Sequence, residues 1–354
     1  SILFRHFCLL PSAFCLAATL AAPAAAQAPG KPSVADVALY QGADRAQRLI
    51  EGAKKEGFLS LYTSATVEDM AVITVAFEKK YGLKVNVYRA SSENVVRRGI
   101  AEMRAGRNEA DIFETNGPDM ESLYREQLFQ EVRSPYLADL VPDAVAPHRE
   151  WVGARMNIYV ITYNTKLVKK EELPRSFDDL LNPRWKGKLG IEASDPAWFA
   201  MVVNDLGEAK GLKLFRDIVT ANGISVRKGH TLLTQLVVSG EVPMALTTYH
   251  YKVEQYKKDG APVDWLILPP AVARFQGMGL ARRAPRPHAA VLFFDFMLSD
   301  AQEILAKRDF TVTSRKISSA AQKLPLKFVD PKLVLDESEK WSKLYTEIVT
   351  RQSR

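Results

Sequence analysis

The chain has 354 residues, with 48 Lys+Arg against 41 Asp+Glu and a formal charge of +7. Its 47% hydrophobic and 25% charged content are ordinary globular values. The basic excess is scattered, and no Lys/Arg run is dense enough to make a nucleic-acid surface.

The first 26 residues have the pattern of a secretory signal peptide. Arg5 is their only charge, an apolar run follows from Phe7 to Leu20 with Pro11 and Ser12 inside it, and Ala24-Ala25-Ala26 closes the stretch. A basic start, a short apolar core and small residues at the cut are what signal peptidase requires, and cleavage is expected before Gln27. Cys15 follows Phe14, whereas a lipidated cysteine would follow a small residue at the cut. Both cysteines, Cys8 and Cys15, lie in this segment. The remainder is thus expected to lack disulfides, thiolate metal sites and cysteine nucleophiles. No later segment has the length and apolarity of a membrane span. The expectation is a soluble, exported protein of a bacterial periplasm, long enough to divide its core between two domains.

In chain order, residues 43–56 predict a helix with Ala46, Leu49, Ile50 and Ala53 on one face and Gly57 as its stop. A strand at 58–62 is followed by Thr63-Ser64-Ala65-Thr66 and a helix burying Met70, Ile73 and Phe77. The Thr66/Asp69 spacing predicts a capping box. A strand at 84–88, a helix at 92–105 with Val96, Ile100 and Met103 inward, and a strand at 111–113 continue the alternation, which argues for parallel βαβ units. A long β-branched strand is expected at 151–163. Then come a short helix at 176–181, a strand at 188–191, and helices at 196–205 and 209–220. A strand at 224–227, a helix at 231–239, a strand at 242–247, a helix at 251–258 and a strand at 263–268 follow. Residues 277–281, helices after Pro287 and Asp300, and a C-terminal helix around 339–349 complete the pattern. Two α/β lobes result, with the ligand expected in the cleft at the carboxyl ends of their strands.

Several blocks carry a more specific signal. Phe58-Leu-Ser-Leu-Tyr-Thr-Ser and Phe77-Glu-Lys-Lys-Tyr-Gly-Leu-Lys-Val85 are two of them. Tyr163-Asn-Thr-Lys166, Phe177-Asp-Asp-Leu-Leu-Asn-Pro-Arg-Trp-Lys-Gly-Lys-Leu-Gly190, Gly240-Glu-Val-Pro-Met-Ala and Ala289-Ala-Val-Leu-Phe-Phe-Asp-Phe-Met-Leu-Ser follow, and then Gln302-Glu-Ile-Leu. Together, and in this order, they resemble the periplasmic ferric-ion-binding proteins and their relatives among ABC-importer substrate-binding proteins. The resemblance implies an α/β, two-lobed type II periplasmic binding fold, each lobe a mixed sheet flanked by helices, with a hinged cleft that closes on its ligand. It implies a membrane permease as partner. Lobe one is expected to comprise residues 27–156 plus 271–313, and lobe two 157–270 plus 314–354.

The iron site of that family uses a His, a Glu, two adjacent tyrosines and a small anion. Carried onto this chain, the His position falls on Thr66, the Glu position on Asn116, and the tyrosine pair on His250-Tyr251, preceded by Tyr249. Only Tyr251 keeps its identity. Asp195 and His230 stand where the anion shelf usually has small polar residues, and a buried carboxylate there would repel a bound anion. The usual iron site is therefore not intact. A rearranged metal set of Asp195, His230, His250 and Tyr251 is one alternative, with no resident cofactor otherwise expected. The other is a small polar organic solute, with Ser64, the amides at Thr66 and Arg89 holding an acidic group and Asp195 an ammonium. Trp198 would wall the ligand. The candidate ligand contacts are Ser64, Thr66, Asn116, Asp195, Trp198, His230, Thr248, Tyr249 and Tyr251.

Each has a plainer reading. Thr66 and Asp195 suit helix N-caps, His250 a solvated loop, Trp198 the core and Arg89 the surface. Hydrolase, metalloprotease and nucleotide-binding motifs are missing, and Gly277-Met-Gly279 lacks the third glycine of a dinucleotide fingerprint. The reading is a binder acting as a monomer, not an enzyme.

Overall fold

A computed structural model describes residues 32–351. The expected signal segment and both cysteines lie outside the described residues. The strands are β1 (Phe58–Thr63), β2 (Lys84–Arg89), β3 (Ile112–Asn116), β4 (Phe129–Gln130), β5 (Val152–Asn164) and β6 (Leu189–Glu192). β7 (Ser225–Arg227), β8 (Met244–Tyr249), β9 (Val263–Leu266), β10 (Ala271–Ala281), β11 (Thr311–Val312) and β12 (Leu326–Phe328) follow. Helices intervene between β1 and β2, β2 and β3, β6 and β7, and β7 and β8, so β1 pairs in parallel with β2 and β3, and β6 in parallel with β7 and β8. These are the crossover units that the alternating pattern predicts.

The order β2-β1-β3-β10-β5-β8-β6-β7 is continuous because β5 serves two sheets. Its first half pairs antiparallel with β10 and β11, placing Met156 opposite Phe275 and Thr311. Its second half pairs with β8 and β9, placing Tyr159 opposite Tyr249. Every residue of β5 is buried, and its sequence is correspondingly apolar apart from Arg155, Asn157, Thr162 and Asn164.

Aromatic packing anchors the helices on each sheet. Phe77, from the helix Val67–Tyr81, meets Phe293 and Phe296 of the helix Pro287–Leu298 edge-on at 5.1 and 5.4 Å. On the other sheet, Phe199 packs on Phe215 and Tyr345 at 5.0 and 5.5 Å. Fully burying one such ring stabilises by about 1.5–3 kcal/mol. Among the described residues, no helix is long and apolar enough to cross a membrane.

Most predicted elements occur within a few residues of their expected bounds, and the departures have physical causes. In the helix Arg45–Glu56, Ala46 is exposed and Arg45 buried, because the guanidinium pairs with Asp295 beneath it. In the helix Ser92–Arg104 the buried face is Val95, Gly99 and Glu102, with Val96, Ile100 and Met103 half-buried. Gly99 permits this rotation: a Cβ there would come within 2.7 Å of Phe113. The expected helix at 176–181 is a 3₁₀ turn, Asp178–Leu181. β3 extends to Asn116, and β10 begins at Ala271 rather than at Gly277.

Candidate functional site

β5, which serves both sheets, and its neighbour β10 carry an unusual polar face. Side chains alternate along a strand, so Arg155, Asn157 and Tyr159 of β5 share one side. Arg274 and Gln276 of β10 lie opposite Asn157 and Arg155 in the register. Arg155 donates to Asn157 Oδ1 at 3.1 Å and to Glu114 Oε1 at 3.0 Å. The other Glu114 oxygen accepts from the Thr63 hydroxyl. Asn157 donates to Gln276 Oε1 at 3.4 Å, and Gln276 Nε2 donates to Ser64 Oγ at 3.0 Å. Ser64 is thereby tied, at the carboxyl end of β1, to β10 directly and to β5 through Gln276.

Beyond Asn157 the polar face continues onto the second sheet. Asp195 has no exposed surface and accepts from the Tyr159 hydroxyl at 3.2 Å, while His230 Nε2 lies 2.9 Å from its Oδ2. Glu192, at the end of β6, accepts from the Gly229 amide at 2.8 Å and from the Ser194 amide. Ligand atoms of Glu192, Asp195 and His230 all lie within 4.8 Å of one another. Tyr249 stacks on His230 at 4.1 Å, and its hydroxyl accepts from Arg274. The Arg274 guanidinium stands 5.4 Å from the Tyr159 ring and 5.6 Å from the Tyr249 ring, which favours it electrostatically.

A third contact joins elements of the two sheets directly. Tyr251 and Lys252 begin the helix His250–Lys258 after β8, and Asp69 lies in the helix that follows β1. The Tyr251 hydroxyl donates to Asp69 Oδ2 at 3.3 Å, and Lys252 Nζ lies 3.4 Å from Oδ1. Asp69 therefore does not complete the predicted capping box. Thr66 caps alone, accepting from the Asp69 amide at 3.1 Å.

Burial sets the protonation of these groups. It raises the phenols of Tyr159, Tyr249 and Tyr251 above the ordinary tyrosine value, so at neutral pH they are hydrogen-bond donors. Burial, reinforced by the neighbouring Asp195 charge, raises the Glu192 carboxyl. Burial would raise Asp195 too, but the charge and hydrogen bond of His230, followed by the Arg274 charge, outweigh it and hold that carboxyl below its usual range.

Among the predicted contacts, Ser64, Asp195, His230 and Tyr249 belong to this polar face, and Tyr251 to the bridge with Asp69. Asp195 occupies the N-cap position of the helix Pro196–Asp205 without capping it, since its side chain is engaged by Tyr159 and His230. Asn116 is an N-cap that accepts from the Asp119 amide at 3.2 Å and donates to the Asp119 carboxylate at 2.6 Å. The Thr248 hydroxyl is spent inside the sheet, on Thr162 and the Val160 carbonyl. Trp198 is buried edge-on against Phe177 and Phe215, a core residue rather than a ligand wall. Arg89 donates to the Ala65 carbonyl at 3.2 Å. The four-residue metal set does not assemble: His250 packs edge-on against Trp265, Tyr251 is turned to Asp69, and Glu192 takes the third place beside Asp195 and His230.

Sequence reasoning missed Glu192, Arg155, Asn157, Tyr159, Arg274 and Gln276. The signal was present in the alternation Arg155-x-Asn157-x-Tyr159 within an otherwise apolar strand, and again in Arg274-x-Gln276. Polar side chains at period two in a buried strand must be satisfied by one another or by something bound.

This arrangement, with two sheets joined by β5 and a polar site where they meet, is that of the two-lobed type II periplasmic binding proteins. Iron-bound HitA from Pseudomonas aeruginosa superposes with a TM-score of 0.71 at 22% identity, covering 82% of this chain and 99% of HitA. AfuA from Actinobacillus pleuropneumoniae, with fructose-6-phosphate bound, gives 0.74 at 20% identity, covering 84% and 99%. In sequence, the chain is 26% identical over 287 residues to the Fe(3+)-binding periplasmic protein of Serratia marcescens, covering 77% of this chain and 84% of that one. It is also 26% identical over 272 residues to iron uptake protein A1 of Synechocystis sp., covering 71% and 74%. The bacterial extracellular solute-binding protein family matches residues 62–304, and the chain belongs to that family. It is accordingly a substrate-binding protein of the ABC-transporter kind, from a family whose members serve membrane permeases.

Proposed function

We propose that this protein captures a small polar organic solute between its lobes in the periplasm and delivers it to an ABC permease. The observation that carries this reading is the use already made of the positions an iron site would need. Thr66 and Asn116 are helix caps, and Tyr251 is a protonated phenol donating to Asp69. A ferric site needs phenolate and carboxylate oxygens free and directed at one point, whereas here Tyr251 keeps its proton and the Asp195 and Glu192 carboxylates are already engaged by Tyr159, His230, Gly229 and Ser194. The lobes we propose are residues 27–156 plus 271–313 and 157–270 plus 314–354, after removal of residues 1–26 as a signal. The double pairing of β5 supports the division, as does the Tyr345 hydroxyl bonding the Glu192 carbonyl. The protein would act as a monomer, by binding without turnover and without contacting nucleic acid.

A second reading, uptake of ferric iron, is favoured by the iron-binding names of relatives at 26% identity and by the convergence of Glu192, Asp195 and His230. Metal analysis and visible spectroscopy of the purified protein separate the two. The organic-solute reading expects substoichiometric iron and no tyrosinate-to-iron band. A band that disappears in Tyr251→Phe would establish the iron reading.

A further inference from the structure

The cations of the polar site are not equally provided for. Arg155 is paired with Glu114 at 3.0 Å and Lys252 with Asp69 at 3.4 Å. Arg274 has no such partner: among the described residues, no carboxylate lies within ion-pair distance of it. Its Nη2 donates to the neutral Tyr249 hydroxyl, and its Nε is buried with no hydrogen-bond acceptor. The acids whose charge reaches it are Asp195 and Asp119. The first is engaged by His230 and Tyr159, the second by Asn116.

A guanidinium cannot shed its proton in a protein, so the half-buried Arg274 stays charged while its buried Nε lacks an acceptor. The surroundings hold it in place without neutralising it. Tyr159 and Tyr249 flank it, and its strand is fixed between β3 and β5. Two residues along the same face, Gln276 reaches Ser64, which sits at the mouth of the turn after β1. Arg274 is thus a cation with no carboxylate in direct contact among the described residues, the charges of Asp195 and Asp119 reaching it only from a distance.

We propose that Arg274 anchors an oxyanion group of the solute, a carboxylate or a phosphoryl group. This rests on the reading that the cleft takes an organic solute. Both groups present paired oxygens that match two parallel N–H donors of a guanidinium. The Ser64 hydroxyl and the Gln276 amide supply neutral hydrogen bonds alongside. The Asp195 end, where a buried carboxylate stands beside an imidazole, suits hydroxyl or ammonium groups at the far end of the same molecule.

Calorimetric titration of the full chain with glycerol 3-phosphate, malate and uncharged glycerol tests the assignment, with Fe³⁺ as a fourth probe. The expected result is binding of at least one of the two anions and not of glycerol, weakened tenfold or more in Arg274→Gln. Arg274→Lys, which keeps the charge but loses the fork, should retain intermediate affinity; it also serves as the test should Arg274→Gln fail to fold, which circular dichroism reports. If neither anion binds, or if an anion binds wild type and both variants equally, the assignment of Arg274 is overturned. Glycerol binding as tightly as its phosphate overturns it too, while leaving the organic-solute reading intact. Binding of Fe³⁺ alone would remove both the assignment and the reading beneath it.

Discussion

Asp195 is where the opposing forces on a single residue are clearest. It is fully buried, which by itself disfavours its charge, yet His230 and Arg274 hold it ionised. A carboxyl depressed on folding contributes stability that is complete above its unfolded value, near pH 4, and is lost as the pH falls through the lowered one. Asp195→Asn should therefore flatten the acid limb of the stability curve in denaturant titrations at a series of pH values. At neutral pH it should cost about 3 kcal/mol, the scale for removing one member of a buried pair. Glu192 runs the other way: its carboxyl is raised, so its contribution declines as the pH climbs from the ordinary glutamate value through the raised one. Tyr251→Phe tests the neighbouring bridge. Loss of its hydrogen bond to Asp69 should lower stability by about 1 kcal/mol, measured by urea unfolding of the ligand-free protein. An unchanged midpoint would show that the bridge contributes nothing.

At the scale of elements, β5 and β10 matter most, and glycines let them pack closely. Gly277 lies where the β5–β10 register shifts, and a Cβ there would come within 2.7 Å of Met120 and 3.0 Å of the Trp151 ring. Gly277→Ala should thus destabilise by about 1–3 kcal/mol through overpacking. A thermal scan showing no loss would mean that the strands have more slack than these contacts imply. The parallel βαβ units were legible in the sequence because alternating strand and helix periods are local signals. β10 was only half legible. Ala271–Gln276 mixes small, polar and apolar residues, because one side packs in the interior while Arg274 and Gln276 face the polar site. The faces of the helices Arg45–Glu56 and Ser92–Arg104 were misjudged for a related reason. Arg45 is buried by a partner 250 residues away, which no local window contains, and Gly99 by the approach of Phe113 from the next strand, a packing contact that helical periodicity does not register. At the site, individual residue types pointed to Ser64, Asp195, His230 and Tyr249. Their bonding was not legible, since Asp195 meets Tyr159 across 36 residues and Ser64 meets Gln276 across 212.

At the scale of the whole molecule, the chain keeps the fold and family of a periplasmic binding protein, and in the function we propose the chemistry of its cleft differs from that of the iron binders. A ligand drives closure only by binding the closed form better than the open one, so it must touch groups from both lobes. Ser64 and Gln276 on one side and Asp195, His230 and Tyr249 on the other offer such a span to a polar organic molecule, with Arg274 between them. The most direct measurement is native mass spectrometry of the protein isolated from its own compartment, with metal analysis of the same sample. The account predicts a bound small organic mass that is released on denaturation, with iron well below one equivalent. One equivalent of iron, retained through purification and accompanied by no organic molecule, would contradict it.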